Sequence, residues 1–175
     1  GKNSNEEELR AYMDGYNETL GRGIFGISKM AIQTGTVHGG IPTADGKIAK
    51  VKLDFETLEK LSSISKKDYG LAGCVQHGAS TLPSELFDKF PKTGTAEIHL
   101  ATEFQNMIFD HPKFPKELKD EIYVYIADKE KDERKEGETE AQFYYKTRKK
   151  AFGQFKQKIW EMDGEIKGEI CYALE

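Results

Sequence analysis

Apolar residues at helical spacing open the chain. Leu9, Met13, Tyr16 and Leu20 share one face of residues 6–20, and acidic residues occupy the first turn. Three glycines follow within residues 21–26, and glycine commonly ends a helix. The pattern predicts a first helix over residues 6–20.

Three later segments share another pattern, a short apolar run that leads into an amphipathic stretch. The runs cover residues 29–37, 71–76 and 95–100. Helices are predicted near residues 55–64 and after Pro83, and residues 102–109 are predicted to start another helix. Strands that alternate with helices favour a parallel sheet with right-handed crossovers. Parallel α/β folds bind ligands at the carboxyl ends of their strands, so residues after each run are the candidates for function.

The pattern changes after Pro112. Residues 115–127 and 142–162 are predicted as two amphipathic helices, and the mixed-charge residues 128–140 between them are interpreted as a solvated connector or helix face. Aromatic side chains in the second helix indicate a core or a subunit interface. Gly164 is expected to end this helix before a short last element over residues 165–174.

Three strand–helix units with a helical tail do not make a complete barrel. A (βα)8 barrel takes about 250 residues, and an open three-stranded sheet leaves its edges unpaired. Two interpretations stay open at this point. Either further strands come from another chain, or the protein is a small atypical α/β domain.

Composition narrows the functional classes. The 175 residues are 37% hydrophobic and 32% charged, which is typical of a globular protein, and the net charge of −4 offers no electrostatic case for binding nucleic acid or anionic membrane. No apolar run approaches the roughly 20 residues of a membrane span. The first residues show neither a signal peptide nor an initiating Met, so we expect a cytoplasmic protein, cut from a longer chain. Cys74 and Cys171 are expected to be free, buried thiols.

Two histidine-glycine pairs follow predicted strands, at His38-Gly39 and at His77-Gly78. Imidazoles at one mouth of a sheet could supply two of the three protein ligands of a catalytic zinc ion. A single histidine at a strand end is more often a structural, hydrogen-bonded residue, but two such pairs in successive units favour a site.

Other polar residues lie near these pairs. Ser80 and Thr102 precede or begin helices, whose amino termini favour phosphate. His99 lies within its strand and can face the same mouth or the outer helices, whereas His111 is interpreted as a capping or surface residue.

Three segments resemble consecutive barrel units of the class II aldolases: GTVHGGIP at residues 35–42, CVQHGAST at residues 74–81 and GTAEIHLATEFQN at residues 94–106. The YYKTR sequence at residues 144–148 resembles a segment of some members whose arginine reaches a substrate phosphate across the dimer interface. The resemblance implies an α/β fold in which residues 1–112 are the C-terminal part, about three βα units, of a TIM barrel. Residues 113–175 would be a helical extension and an oligomer interface.

The resemblance also implies roles for individual residues. His38 and His77 become zinc ligands, and Arg148 becomes a ligand of a second phosphate. The remaining matched positions are implied to bind substrate or its phosphate, with a monovalent cation (Na+ or K+) as a further ligand: Gly39, Gly78, Ala79, Ser80, His99, Ala101 and Thr102.

Two departures from the family pattern stand out. Where many members have asparagine and aspartate in the eighth strand, this chain has His99 and Ala101, at positions that touch the substrate. The family's other zinc histidine, its acid/base aspartate and a glutamate would precede residue 1. No catalytic acid or base is therefore expected within this chain.

The implied function is zinc-dependent, reversible aldol cleavage of a ketose bisphosphate resembling fructose 1,6-bisphosphate, through dihydroxyacetone phosphate. The expected partners are the phosphorylated sugar, the N-terminal half of the barrel and a second copy of the chain. The alternative is a non-catalytic, aldolase-like phosphosugar-binding or assembly protein, which His99 and Ala101 favour. An unrelated metal hydrolase is disfavoured because no carboxylate stands close to either histidine in the strand-end loops.

Overall fold

The computed structural model of the protein describes residues 2–37, 40–44, 49 and 52–175. The chain forms two compact units. Unit 1 comprises Gly1–Gly40 and Lys50–Leu100, and unit 2 comprises Ile41–Ala49 and Ala101–Glu175. The boundary predicted at residue 112 lies inside unit 2.

Unit 1 is built on a parallel sheet whose strand order is β1-β2-β3. In the register, Ala31 of β1 is opposite Val75 of β2, and Val75 is opposite Glu97 of β3. The predicted α/β class and parallel sheet are confirmed, whereas the assignment to part of a TIM barrel stays a prediction. The strands are shorter than predicted: β1 is Met30–Ile32, β2 is Cys74–Gln76 and β3 is Glu97–Ile98.

Local capping explains the two long helices of unit 1. At the start of α1, the Asn5 side chain accepts from the Glu8 amide and the Glu8 carboxylate accepts from the Asn5 amide, which makes a capping box. The end of α2 is the left-handed Gly70, five positions beyond its last buried residue, Ser65. The predicted bounds of α1 are confirmed, and α2 runs past residue 64: α1 is Glu6–Leu20 and α2 is Phe55–Tyr69.

The helix predicted after Pro83 is wrong. The chain instead forms a 3-10 turn at Ser84–Leu86 and the short helix α3 at Lys89–Lys92. Pro91 supplies the reason, because a proline inside a longer helix lacks the amide donor and collides with the carbonyl four residues earlier.

One face of the sheet carries the core of unit 1. Ile32 and Cys74 pack with Leu9, Leu58 and Phe90, and all five are at least 93% buried. Side chains alternate between the two faces of a strand, so Val75 and Glu97 point to the face opposite Cys74. By the same alternation, Gln76 points to the face of Cys74, and Glu97 points to the opposite face.

Unit 2 is helical and has its own core, in which Phe109, Ile122, Ile126 and Phe143 are almost fully buried. Its helices are α4 (Thr102–Phe109), α5 (Lys116–Lys129), α6 (Glu140–Thr147), α7 (Ala151–Gln154), α8 (Lys156–Trp160) and α9 (Gly164–Leu174). The predicted start of α4 is confirmed. Among the described residues, no helix is both long enough and apolar enough to cross a lipid bilayer.

The single helix predicted over residues 142–162 is wrong. The chain breaks at Arg148–Lys150, which is a 3-10 turn, and again between α7 and α8. The hydroxyl of Thr147 donates to the Phe143 carbonyl at 2.6 Å, a bond that bends helices. Gly153 further lowers the helix propensity. Of the aromatic residues, Phe143 and Phe155 are buried, but Trp160 is 77% exposed.

The two thiols differ. Cys74 and Cys171 are both free, as predicted, but only Cys74 is buried, so the predicted burial of Cys171 is wrong. Burial raises the pKa of the Cys74 thiol, although hydrogen bonds from Ser65 and Ser62 act in the opposite direction. Cys171 is exposed because α9 turns Ile170 into the core instead.

Candidate functional site

His77 directly follows β2 and lies beside His99. The ring centroids of the two imidazoles are 4.3 Å apart and their planes are inclined by 55°. The amide of His99 donates to the Gln76 carbonyl at 2.9 Å, which continues the β2–β3 ladder beyond the last strand residue. The structure thus decides between the two alternatives for His99, because it places this side chain at the same strand ends as His77.

Glu97 and Lys29 lie next to His99, on the face of the sheet opposite Cys74. One oxygen of Glu97 pairs with Nε2 of His99, and the other accepts from Lys29 Nζ. The hydrogen bond from Lys29 and then that from His99 lower the pKa of the Glu97 carboxyl. Glu97 was not among the site residues predicted from the sequence. Its spacing of two residues from His99 along a strand places both side chains on one face, which could have indicated it.

The carboxamide of Gln76 joins the residues after β1 to the end of β2. Its Oε1 accepts from the Thr34 hydroxyl at 2.6 Å, and its Nε2 donates to Thr36 Oγ1 at 3.0 Å and to the His77 carbonyl at 2.6 Å. The Thr36 hydroxyl in turn donates to the same carbonyl at 2.7 Å. This network was not predicted either. The sequence shows that Thr34, Thr36 and Gln76 are polar, but it does not show that they bind one another.

The segment after His77 makes a tight turn. Gly78 has a φ of +68°, Ala79 is fully buried, and Ala79–Thr81 is a 3-10 turn that places Ser80 half-buried at the surface. Among the described residues, the buried hydroxyl of Thr81 finds no hydrogen-bond partner. A buried hydroxyl without a partner costs about 1–3 kcal/mol, so this turn is one that a polar ligand can stabilise.

Gly78 is expected to be irreplaceable for two reasons. A Cβ at this position would lie 3.1 Å from Cβ and Oγ1 of Thr36, and the φ of +68° itself disfavours other residues. Gly78→Ala should lower the free energy of unfolding by about 2 kcal/mol, of which about 1 kcal/mol comes from the left-handed backbone. Chemical denaturation measures this loss.

Gly70→Ala is the matched control, because Gly70 has a φ of +67° and a Cβ there would meet nothing within 4 Å. It should show the backbone cost of about 1 kcal/mol alone. Equal losses in the two variants would contradict a steric role for Thr36.

The remaining predicted site residues are His38, Gly39, Ala101, Thr102 and Arg148. His38 and Gly39 are outside the described residues. Ala101 and Thr102 belong to unit 2, where Ala101 is the N-cap of α4. Alanine has no side-chain oxygen with which to cap the first amides of this helix.

Arg148 is 6% exposed and is held within unit 2. Its guanidinium donates to both carboxylate oxygens of Asp110 and to Asn106 Oδ1, each at 2.7 Å, and it lies over the ring of Tyr145 at 5.2 Å. Burial alone would lower the pKa of Arg148, but the bond to Asp110 raises it overall. The two side chains stabilise one another in a forked pair.

The donors present match the chemistry of zinc only in part. Imidazole nitrogen is a preferred zinc ligand, and His77 at the end of a parallel strand supplies one. Within the described part of the chain, however, three or more His, Cys, Asp or Glu side chains are nowhere grouped to hold a metal ion. A zinc ion at His77 would therefore need ligands from outside the described residues.

Comparison with known proteins gives one clear result. The profile of the family described as Fructose-bisphosphate aldolase class-II matches residues 7–159. No curated protein sequence gives a significant match.

Proposed function

Because the chain belongs to the class II fructose-bisphosphate aldolase family, we propose that it takes part in zinc-dependent, reversible aldol cleavage of a ketose bisphosphate. The substrate would resemble fructose 1,6-bisphosphate, and dihydroxyacetone phosphate would be one product. The observation that carries the proposal is the position of His77, at the end of a parallel strand and directly before the left-handed Gly78. Ligands of α/β enzymes bind at this edge.

His77 is proposed to hold the metal together with His38 and a histidine outside this chain. When bound, zinc supplies Lewis-acid stabilisation of the negative charge that develops on the ketone oxygen of the substrate. His99 lies against His77 and is proposed to contact the substrate. The proton-transferring carboxylate is proposed to come from residues that precede this chain.

Gly78, Ala79 and Ser80 are proposed to bind a substrate phosphate, together with Gly39 and a monovalent cation. The left-handed Gly78 begins a turn, a conformation that can direct backbone amides at an anion, and Ser80 carries a hydroxyl half-buried in this turn. Thr102 is proposed separately as a phosphate donor, since it begins α4 at a helix terminus with a positive dipole.

The Ser80→Ala variant tests the phosphate contact. Losing one charge-assisted hydrogen bond should raise KM for a phosphorylated ketose about ten-fold and change kcat little. Steady-state kinetics on the full-length protein measure both constants. Ser84→Ala, at an exposed position in the next turn, should behave like the wild type. An unchanged KM in both Ser80→Ala and Thr102→Ala would refute the assignment.

Chelation tests the proposed function as a whole. The full-length protein is assayed for cleavage of fructose 1,6-bisphosphate and related ketose bisphosphates, then stripped of metal and reloaded with zinc. Activity should disappear on stripping and return with zinc. Cleavage that persists in metal-free protein would exclude the zinc mechanism.

A second function is favoured by two residues. Ala101 has no functional group where many members carry one that touches substrate, and the His99 imidazole is paired with Glu97. Both features suit a non-catalytic protein that binds phosphosugars or serves assembly. Binding of a ketose bisphosphate without turnover in the zinc-loaded, full-length protein would establish this alternative.

Arg148 is proposed to bind the second phosphate across a dimer interface formed by the helical extension. To do so, its guanidinium would exchange bonds to Asp110 and Asn106 for bonds to the phosphate. Arginine suits such an exchange because its planar fork matches carboxylate and phosphate alike.

A further inference from the structure

Gln76 has every hydrogen-bonding group of its carboxamide engaged while it is completely buried. Its Oε1 binds the hydroxyl of Thr34, which is also fully buried, and its two Nε2 hydrogens reach Thr36 Oγ1 and the His77 carbonyl. Buried polar networks rigidify a structure when every member is satisfied. We call Thr34, Thr36 and Gln76 the strand-end clamp.

The direction of each bond in the clamp is determined. The Thr36 hydroxyl has one hydrogen, which goes to the His77 carbonyl, so its oxygen can only accept from Gln76. Rotating the carboxamide by 180° would place Oε1 against the His77 carbonyl, and two oxygen acceptors cannot form a hydrogen bond. The clamp therefore has one arrangement.

The clamp acts where the backbone ladder has ended. The last β1–β2 pair is Ile32 with Gln76, and Thr34 and Thr36 lie beyond it on the segment that leaves β1. Thr36 also contacts the position where Gly78 would carry a Cβ. The clamp thus fixes the backbone at the His77 carbonyl and at the Gly78 turn that follows it.

We propose that the strand-end clamp positions His77 for metal binding, an inference that rests on the proposed function. Thr34, Thr36 and Gln76 are positioning residues, since they act through the backbone of His77. Groups that orient a metal ligand from outside its coordination sphere typically change metal affinity 10–100-fold. A purely structural clamp would change the stability of the protein and leave the affinity for zinc unaltered.

Thr36→Val separates the two roles, because valine keeps the shape of threonine but removes the hydroxyl. The apo full-length variant is titrated with Zn²⁺ in competition with a chromophoric chelator. Zinc affinity should fall about ten-fold or more, and kcat should fall more than KM rises. Thr36→Ser restores the hydroxyl and should restore the affinity. Gln76→Glu, which places oxygen where Nε2 donates, should weaken zinc binding as well.

Ser62→Ala is the matched control. Ser62 is fully buried in α2, and its hydroxyl accepts from the Cys74 amide near the start of β2, away from the strand ends. This variant should lose stability and keep the affinity for zinc. If Thr36→Val fails to fold, Thr34→Val takes its place, since it removes only the bond to Gln76 Oε1.

The outcomes separate this inference from the function on which it rests. A wild-type protein that binds no zinc overturns both. If the wild type binds zinc and the clamp variants match Ser62→Ala in affinity, only the positioning role is overturned.

Discussion

Replacing His77 with alanine is expected to weaken zinc binding by more than about 100-fold and to abolish aldol cleavage. A loss of this size is expected because groups that orient a metal ligand from outside the coordination sphere already change metal affinity 10–100-fold. Three protein ligands hold a catalytic zinc ion, so the loss of one leaves an incomplete set. His38→Ala should have the same effect. Metal analysis of the purified full-length variants, followed by the cleavage assay, measures both losses.

His111→Ala is the control for the loss of an imidazole. The Nδ1 of His111 accepts from the Lys113 amide in the turn before α5, so this histidine has a local structural role in unit 2. Its variant should keep its zinc and its activity. Full zinc occupancy in both His77→Ala and His38→Ala would refute the metal assignment.

Asp110→Asn is expected to destabilise the protein by about 2 kcal/mol, because it leaves the Arg148 guanidinium without its anionic partner. Breaking a fully buried ion pair costs about 3–5 kcal/mol. Because 54% of the Asp110 side chain reaches solvent, the smaller value is expected here. The loss corresponds to a decrease in Tm of about 4–8 °C. Thermal and denaturant unfolding measure it.

The effect of Asp110→Asn should depend on pH. Burial acts to raise the pKa of Asp110, but the hydrogen bond and charge of Arg148, with Lys119, lower it overall. A carboxyl with a lowered folded pKa stabilises the protein above its unfolded pKa of about 3.9 and loses this contribution as pH falls through the folded value. The stabilities of variant and wild type should therefore converge as the pH decreases below about 4.

Asp120→Asn is the control, because Asp120 pairs with Lys116 one turn away on the exposed surface of α5. A solvent-exposed pair of this kind contributes little to stability, so this variant should unfold like the wild type. If the two aspartate variants lose the same stability, the Arg148–Asp110 pair contributes no more than a surface pair.

Patterns that depend on neighbouring residues were predictable from the sequence. The bounds of α1 follow from its apolar spacing and the glycine after Leu20, and the start of α4 follows from the strand–helix alternation. The parallel α/β class follows from the same alternation. Burial of both cysteines was predicted from residue type. The prediction is confirmed for Cys74 and wrong for Cys171, because residue type does not say which side of α9 faces the core.

Local propensity failed where a distant contact decides the conformation. Residues 142–162 have a helical pattern, yet the chain breaks at Arg148, whose guanidinium binds Asp110 and Asn106 on another helix. Leaving Arg148 without Asp110 is expected to cost about 2 kcal/mol, which exceeds the few tenths of a kcal/mol that separate most helix propensities. The sequence around Arg148 does not reveal that its side chain will bind Asp110 and Asn106.

The sequence by itself determined that His77 follows a strand, because the strand pattern and the identity of the next residue are both local. Only the tertiary structure decided that His99 packs on His77 and that Gln76 binds Thr34, Thr36 and the His77 carbonyl. Apart from the bond between the neighbours Gln76 and His77, these contacts join residues 22 to 42 positions apart in the chain, as the separation of His77 from His99 and that of Thr34 from Gln76 show. Sheet register sets such pairings, and register is a property of the folded sheet as a whole.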